Sequence, residues 1–327
     1  MSKLVTIFGG SGFTGRYIAR RMAKQGWRVK VAVRKPNEAL FVKTFGSVGQ
    51  VEPIFCNIRD EQMVLNALHG VDAVVNCIGT FDKTGKNNFS AIQSEGAARI
   101  ARLAATAGIS KMVHISSIGA DLRSDSIYSK TKASGEIGII EHLPDSIILR
   151  PSVIFGSEDQ FFNRFAAMSK IFPFLPLIGA QTKFQPVYVD DVASAAVQAI
   201  TGDVQAGIYE LGGPEVASFE NLMQRMLVVI KRRRLILRIP FFAARIMAYG
   251  FDLLQRASFG VFKNSIVTSD QIKSLTVDNV VSGTHKTFAD LGIVPTALDA
   301  VLPDYLWTHR PSGQFFSIKD SARTTNK

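Results

Sequence analysis

Residues 3–36 read "KLVTIFGGSGFTGRYIARRMAKQGWRVKVAVRKP". The run "KLVTIFGG" is short, β-branched and closed by glycine, "GRYIARRMAKQGW" carries Ile18 and Met22 at helical spacing, and "RVKVAVR" is a second strand. That is a βαβ unit. Gly9, Gly12 and Gly15 fall in its first turn as G-x-x-G-x-x-G, directly after the strand and before the helix. In that context the missing side chains let backbone amides approach a pyrophosphate, and the helix N-terminus adds partial positive charge and spare N–H donors. The competing reading is a tight turn with no ligand.

The alternation continues outward from that unit. "VDAVVNCIG" and "KMVHISS" supply two more buried strands, separated by the helical "NFSAIQSEGAARIARLAATAG", and "DSIILRPSVIFG" adds another. The pattern predicts an α/β fold, a Rossmann-type doubly wound parallel sheet, with a smaller mixed C-terminal lobe. Residues 1–155 are expected to form the nucleotide-binding domain. Residues 156–310 form the lobe, where "FFNRFAAMSKIFPFLPLIG" is apolar and broken by Pro173 and Pro176, and "QPVYVDDVASAAVQAI" returns to strand then helix. Some of these elements are expected to rejoin the main sheet. Residues 311–327 lose periodicity and read as a mobile or partner-ordered tail.

The end of the second strand bears on which nucleotide. An NAD-selective site places an acid about 20 residues past the glycines. Here Arg34 and Lys35 stand there. A guanidinium pairs a 2′-phosphate and an acid repels it, so NADP(H) is favoured over NAD(H), with Arg16 placed to assist. The competing reading is two solvated cations at a strand end.

Bulk properties narrow the partners. The 327 residues are 46% hydrophobic and 20% charged, as in a globular protein, and the net charge of +11 suits an anionic partner. A nucleic-acid partner is not expected, because no interleaved aromatic and basic platform is present. Cys56 and Cys77 each end an apolar strand, which argues against a disulfide framework, and the five histidines lack metal-ligand spacing. No metal site is expected. Met1 leads into a strand and glycine loop within nine residues, so residence on the cytoplasmic side is the expectation.

"KRRRLILRIPFFAARIMAYGFDLLQ", residues 231–255, sets cations against a long apolar run. Arg238, Pro240, Arg245 and Asp252 interrupt it, so it is not a membrane span. A helix from Pro240 places Arg245, Asp252 and Arg256 near one narrow stripe. The rest must be buried by its own domain, a partner, or a membrane boundary with Arg232, Arg233 and Arg234 at the headgroups.

With the glycine triplet, the phrase "NCIG" at 76–79 and Tyr128 and Lys132 in Y-x-x-x-K spacing, residues 3–215 resemble an extended or atypical short-chain dehydrogenase/reductase. The resemblance implies a cofactor site of Gly9, Gly12, Phe13, Gly15, Arg16, Arg34, Lys35, Asn57, Ile58, Cys77, Gly79, Tyr128, Lys132 and Pro151. In that family an acid and an apolar residue after the third strand face adenine. Here "FCNIRD" puts Asn57 in the acid's place beside Ile58, while Asp60 is placed to cap the next helix. The family's chemistry needs a tyrosine, a lysine that lowers its pKa, and a hydroxyl that polarises the carbonyl. Tyr128 and Lys132 lie one helical turn apart. The hydroxyl's expected place falls near Ile118, so Ser117, beside Ser116, is the candidate substitute.

Further on, "LRPSVIFG", "PVYVDDVA", "SDQIKSLTVDNVV" and "LPDYLWTHR" resemble the nucleotide-binding accessory subunits of respiratory complex I (NADH:ubiquinone oxidoreductase) in their alpha-proteobacterial form. This second resemblance runs to about residue 310. It implies firm NADP(H) binding without known turnover and a place on the hydrophilic arm near the quinone site. It also implies a peripheral position on the cytoplasmic side of the bacterial inner membrane, with 231–256 docking on subunits, membrane surface or lipid. The alternative is an NADP(H)-dependent reductase or epimerase acting through Tyr128 and Lys132.

Overall fold

Parallel pairing decides the first half of the chain, and the computed structural model describes it within residues 2–80, 85–246 and 269–315. Strand and helix alternate as β1 (Leu4–Phe8), α1 (Phe13–Lys24), β2 (Arg28–Val33), β3 (Val51–Phe55), α2 (Glu61–Leu68) and β4 (Ala73–Asn76). They continue as α3 (Glu95–Thr106), β5 (Lys111–Ile115), α4 (Ile127–His142) and β6 (Ile147–Pro151). The second half adds β7 (Ile154–Phe155), α5 (Phe162–Ile171), β8 (Phe174–Ile178), β9 (Lys183–Phe184), β10 (Val187–Tyr188) and α6 (Val189–Thr201). It closes with β11 (Gly207–Leu211), β12 (Ala217–Ser218), α7 (Phe219–Val229), β13 (Leu235–Ile239) and helices at Ser269–Ser274 and Leu298–Leu306. Two compact units result. The first is Met1–Ser152 with Val189–Gly212 and Val281–Pro295, and the second is Val153–Tyr188 with Gly213–Val280 and Thr296–Lys327.

The first unit is built on a parallel seven-stranded sheet in the order β11-β6-β5-β4-β1-β2-β3. Its central strands are apolar on both faces, since Val5, Ile7, Val31, Val74, Val75 and Leu149 are all buried. Such strands need helices on both sides. The order reverses between β1 and β4, and sheets of this kind take their ligands at that switch point, outside the carboxyl ends of the strands. The single strand expected over "DSIILRPSVIFG" is two: β6 lies in this sheet, while β7 pairs with β10 in the second unit. Pro151 ends the ladder, and Ser152 N–H turns to Leu211 O at 3.0 Å.

Local chemistry fixes the helices. Asp60 caps α2 by accepting from Met63 N–H at 3.1 Å, and Ser126 caps α4. Arg21, in the last turn of α1, makes two bonds to Asp190 of α6 at 2.6 and 2.7 Å. Helices α3 and α4 pack almost backbone to backbone. A Cβ on Gly135 would lie 2.1 Å from the Gln93 carbonyl oxygen, in the π-helical turn Ser90–Ser94, and one on Gly138 would lie 2.7 Å from the Ala98 Cβ.

The second unit has its own core of Phe155, Phe162, Leu175, Leu177, Met223 and Leu302. Buried Asp159 accepts from Gly156, Phe161 and Asn163 N–H and from the Tyr305 hydroxyl. Helix α7 ends in a Schellman turn, with Lys231 N–H donating to Val228 O at 3.2 Å and Arg232 N–H to Leu227 O at 3.1 Å. Residues 235–239 leave it as strand β13, paired parallel to β8. The helix expected from Pro240 is present at 241–246, and its continuation, with Asp252 and Arg256, lies outside the described residues, as does 316–327.

Gly135→Ala is expected to destabilise the protein by about 3 kcal/mol in urea unfolding, the upper end of overpacking effects, because the carbonyl it meets is backbone. A loss below about 0.5 kcal/mol, the size of an ordinary surface change, would show that α4 and the turn Ser90–Ser94 can separate at little cost.

Candidate functional site

The glycine turn is a cradle that side chains would fill. Gly9 adopts φ 78°, and a Cβ on Gly15 would lie 2.4 Å from Gly9 O and 2.7 Å from Gly10 Cα. Nothing but glycine fits at residue 15. The helix it opens has no side-chain cap and no acid in its first turn, so its leading N–H groups and dipole face the crevice uncontested. Three strand ends meet there: Gly9 N–H donates to Ala32 O at 3.0 Å and Cys77 N–H to Phe8 O at 2.9 Å. Phe13 stands at the helix start, half-buried and edge-on to Tyr17.

Arg16 folds back over this turn. Its Nη2 donates to Ser11 O at 3.0 Å, and the guanidinium stacks on the Phe41 ring at 4.9 Å. Phe41 belongs to the 3-10 stretch Pro36–Phe45 that follows Arg34 and Lys35. Both of those side chains are exposed, and Lys35 is engaged by Glu38 at 2.6 Å. Thus Arg16 and Arg34 flank the end of β2, whereas part of Lys35's charge is already neutralised. Phe41 was not singled out in the sequence, and only its helical register after the two cations marks it.

The third and fourth strand ends complete the rim. Asn57 Oδ1 accepts from Arg59 N–H at 3.2 Å, which fixes its amide, and Ile58 is buried against Gly96. Asn76 Oδ1 accepts from Ile78 N–H at 3.1 Å and shapes the loop through Cys77 to exposed Gly79. Burial pushes the Cys77 thiol up to about 12 and Cys56 to about 11, so both stay protonated and inert.

Tyr128, Lys132 and Ser117 are brought together by α4 and the end of β5. Lys132 is 4% exposed, donates to Ile115 O at 3.1 Å, and has its Nζ 3.9 Å from where a Gly79 Cβ would stand. Burial lowers it from 10.5 to about 8, against the raising charge of Glu136. Burial raises the Tyr128 hydroxyl, opposed by Ser117. The direction, set by burial, is opposite to the lysine-lowered tyrosine that the resemblance implies. Ser117 Oγ lies against that tyrosine but is buried with no hydrogen bond of good geometry, an orphaned hydroxyl that a ligand oxygen would satisfy. Ser116 is committed elsewhere, donating to Glu136, and Ile118 is a buried aliphatic that offers no donor.

Behind this group lies a charge network that the sequence reading missed. Buried Glu136 takes a forked bond from Arg150, and Arg150 also reaches Glu210 at 4.0 Å. Burial pulls the Arg150 pKa down, and the Glu136 bond and charge more than offset it. The available signal was spacing: Tyr128, Lys132 and Glu136 fall at successive turns of one helix. His114, buried on β5 beside Asn76, is held neutral by burial and by Lys132. Among the described residues no group of acids, histidines and cysteines could hold a metal ion.

A model of the NAD dependent epimerase/dehydratase family matches residues 5–212. Over 319 residues the chain is 34% identical to the mitochondrial NADH dehydrogenase (ubiquinone) 1 alpha subcomplex subunit 9 of Arabidopsis thaliana, covering 96% of this chain and 79% of that protein. It is 31% identical over 311 residues to the mitochondrial NADH-ubiquinone oxidoreductase 40 kDa subunit of Neurospora crassa, covering 95% and 80%. The crystal structure of gox2253 shares the fold, with a TM-score of 0.70 and 21% identity over 93% of this chain and 97% of that one.

Between pH about 8 and 10.5 the unfolded chain keeps a proton on Lys132 that the folded one has lost. Stability is therefore expected to rise with pH across that window, with the full penalty present below it, at up to about 1.4 kcal/mol per pH unit. Urea unfolding of wild type against Lys132→Met checks this. The difference between them should carry that slope, and a flat difference would place the titration elsewhere.

Proposed function

The chain belongs to the NAD dependent epimerase/dehydratase family and, with the plant protein above, to the alpha subcomplex subunit 9 group, and from that premise we propose that it is an NADP(H)-binding accessory subunit of respiratory complex I. The observation that carries the reading is a likeness over 96% of the chain to a named complex I subunit, reaching well past the nucleotide fold. The protein sits peripherally on the cytoplasmic side of the bacterial inner membrane, on the hydrophilic arm near the quinone site. No helix among the described residues is long and apolar enough to cross a membrane, and residues 231–256 serve the docking.

The site fits a dinucleotide on its own geometry. The turn at Gly9, Gly12 and Gly15, with the uncapped start of α1, would take the pyrophosphate, and Asn57 and Ile58 the adenine. Arg34, with Arg16 braced on Phe41, supports NADP(H) over NAD(H), since guanidinium groups and no acid stand at the end of β2. Cys77, Gly79, Pro151, Tyr128 and Lys132 line the remaining path. When bound, the nicotinamide supplies hydride chemistry. What the chain's own residues do most plainly is hold: a ligand that binds only the native state adds about 2.7 kcal/mol at 100 times its dissociation constant.

The reductase reading keeps one specific support, the orphaned Ser117 hydroxyl beside Tyr128. In it Tyr128 would protonate the substrate oxygen and Ser117 would donate to it. Against it stand buried Ile118 and the upward shift of Tyr128.

Gentle solubilisation of native membranes, followed by mass spectrometry of the assembly carrying this chain, is expected to recover complex I subunits and near-stoichiometric NADP(H). A free protein with readily exchanged nucleotide would move the assignment to the reductase. Separately, Arg34→Asp is expected to weaken NADP(H) retention at least tenfold, about 1.4 kcal/mol, while leaving the unfolding midpoint of the nucleotide-free protein unchanged. Equal retention would remove Arg34 from the 2′-phosphate site.

A further inference from the structure

Helix α4 sets Tyr128, Lys132 and Glu136 at successive turns, and the last two are 4% and 3% exposed. An ammonium has three N–H donors. Among the described residues the Lys132 Nζ meets one acceptor, Ile115 O at 3.1 Å, and it lies 3.9 Å from where a Gly79 Cβ would stand, beside the loop after β4. Two donors of a buried cation are left for another partner, and a buried charge is costly until its hydrogen bonds are made.

Glu136 supplies the carboxylate that opposes this burial. Burial lowers Lys132 to about 8, and the charge of Glu136 is the larger of the two influences that raise it. The neighbouring groups carry no charge to offset it: the Cys77 thiol is pushed up to about 12, His114 is held neutral by burial, and burial raises the Tyr128 hydroxyl. Glu136 is itself fixed from its other side. Ser116 donates to its Oε1, while Arg150 of β6 places Nε 2.9 Å from Oε1 and Nη2 2.5 Å from Oε2. Around Arg150 stand Glu210 of β11 at 4.0 Å, His285 at 3.4 Å and the charge of Asp121. One carboxylate thus lies between a guanidinium that grips it and an ammonium that only feels its field, since the ion pair of Glu136 is with Arg150 and not with Lys132.

We infer that Glu136 is a positioning residue for nucleotide retention: fixed by Ser116 and Arg150, it holds the Lys132 ammonium ready to donate to a sugar hydroxyl at the Gly79 loop. Arg150 works against it by drawing on the same carboxylate. Retention is therefore set by pH, complete while Lys132 carries its proton and lost as pH rises past the point where the buried lysine gives it up. The inference rests on the nucleotide-binding reading above, and measuring wild type beside the variants lets the two fail separately.

The test is the dissociation constant of NADPH from the purified full-length protein, followed by nucleotide fluorescence from about pH 6.5 to about pH 9.5, a range that brackets the buried lysine. Wild type is expected to hold NADPH evenly below about pH 8 and to weaken by up to about tenfold per pH unit above it. Glu136→Gln keeps the acceptor and drops the charge, so its profile is expected to lie about one pH unit lower, and Glu136→Asp, which restores the charge, to recover most of that displacement. Arg150→Gln is expected to move the profile upward, since Glu136 then acts on Lys132 alone. Damage to the fold would weaken binding at every pH and would not displace the two profiles in opposite directions, and either variant decides the matter where the other does not fold. A wild-type profile flat across the range would overturn the inference before any variant is made, as would a folded Glu136→Gln or Arg150→Gln that follows wild type. Wild type that holds no NADPH at any pH would overturn the nucleotide reading together with it.

Discussion

At residue 15 there is no room for a single carbon atom. The first helix begins so close over the first strand that a Cβ would overlap the carbonyl oxygen of Gly9, and that approach aims the helix N-terminus across the carboxyl ends of β1, β2 and β4. The helix then lies where Arg21 can reach Asp190, which ties α6 to the same unit. A bulkier turn would lift the helix, shield its N–H groups and break that pairing together. Anion recognition and packing are thus one constraint in this fold, which is why the turn is its least negotiable part.

A second constraint is electrical. Lys132, Glu136, Arg150 and Glu210 bring two positive and two negative groups into one buried region. Each would cost several kcal/mol to bury alone, and removing one partner strands another. The set balances only while Lys132 keeps its proton, and burial holds that proton loosely, near pH 8. The ammonium donates to Ile115 O, and the Tyr128 hydroxyl beside Ser117 is shifted upward by burial.

Local signals in the sequence carried much of this. The glycine triplet, the Asp60 cap and the one-turn offset of Tyr128 and Lys132 are short-range features, set by φ preferences and helical periodicity, and each lies where its pattern indicates. Features that depend on distant partners were closed to that reading. Glu136 meets Arg150 across 14 positions, β8 pairs with β13 across about 60, and the Gln93 carbonyl that forbids a side chain at Gly135 sits in a π-helical turn with no compositional mark. The two strands within "DSIILRPSVIFG" could not be separated by periodicity either, because both are apolar and the break at Pro151 shows only once β11 is in place. Arg34 and Lys35 looked equivalent as letters, and only the position of Glu38 tells them apart.

Connectivity gives a bound nucleotide a physical route to influence more than its own pocket. The chain passes between the two units five times, at residues 152–153, 188–189, 212–213, 280–281 and 295–296. Each segment of the second unit short of the C-terminal one therefore starts and ends on backbone belonging to the first. Holding those ends in place removes loop-closure entropy that the second unit would otherwise have to overcome, and that cost grows only slowly with segment length. A ligand that stabilises the first unit thus favours ordering of the second without touching it. That coupling runs through the chain itself and requires no hydride to move.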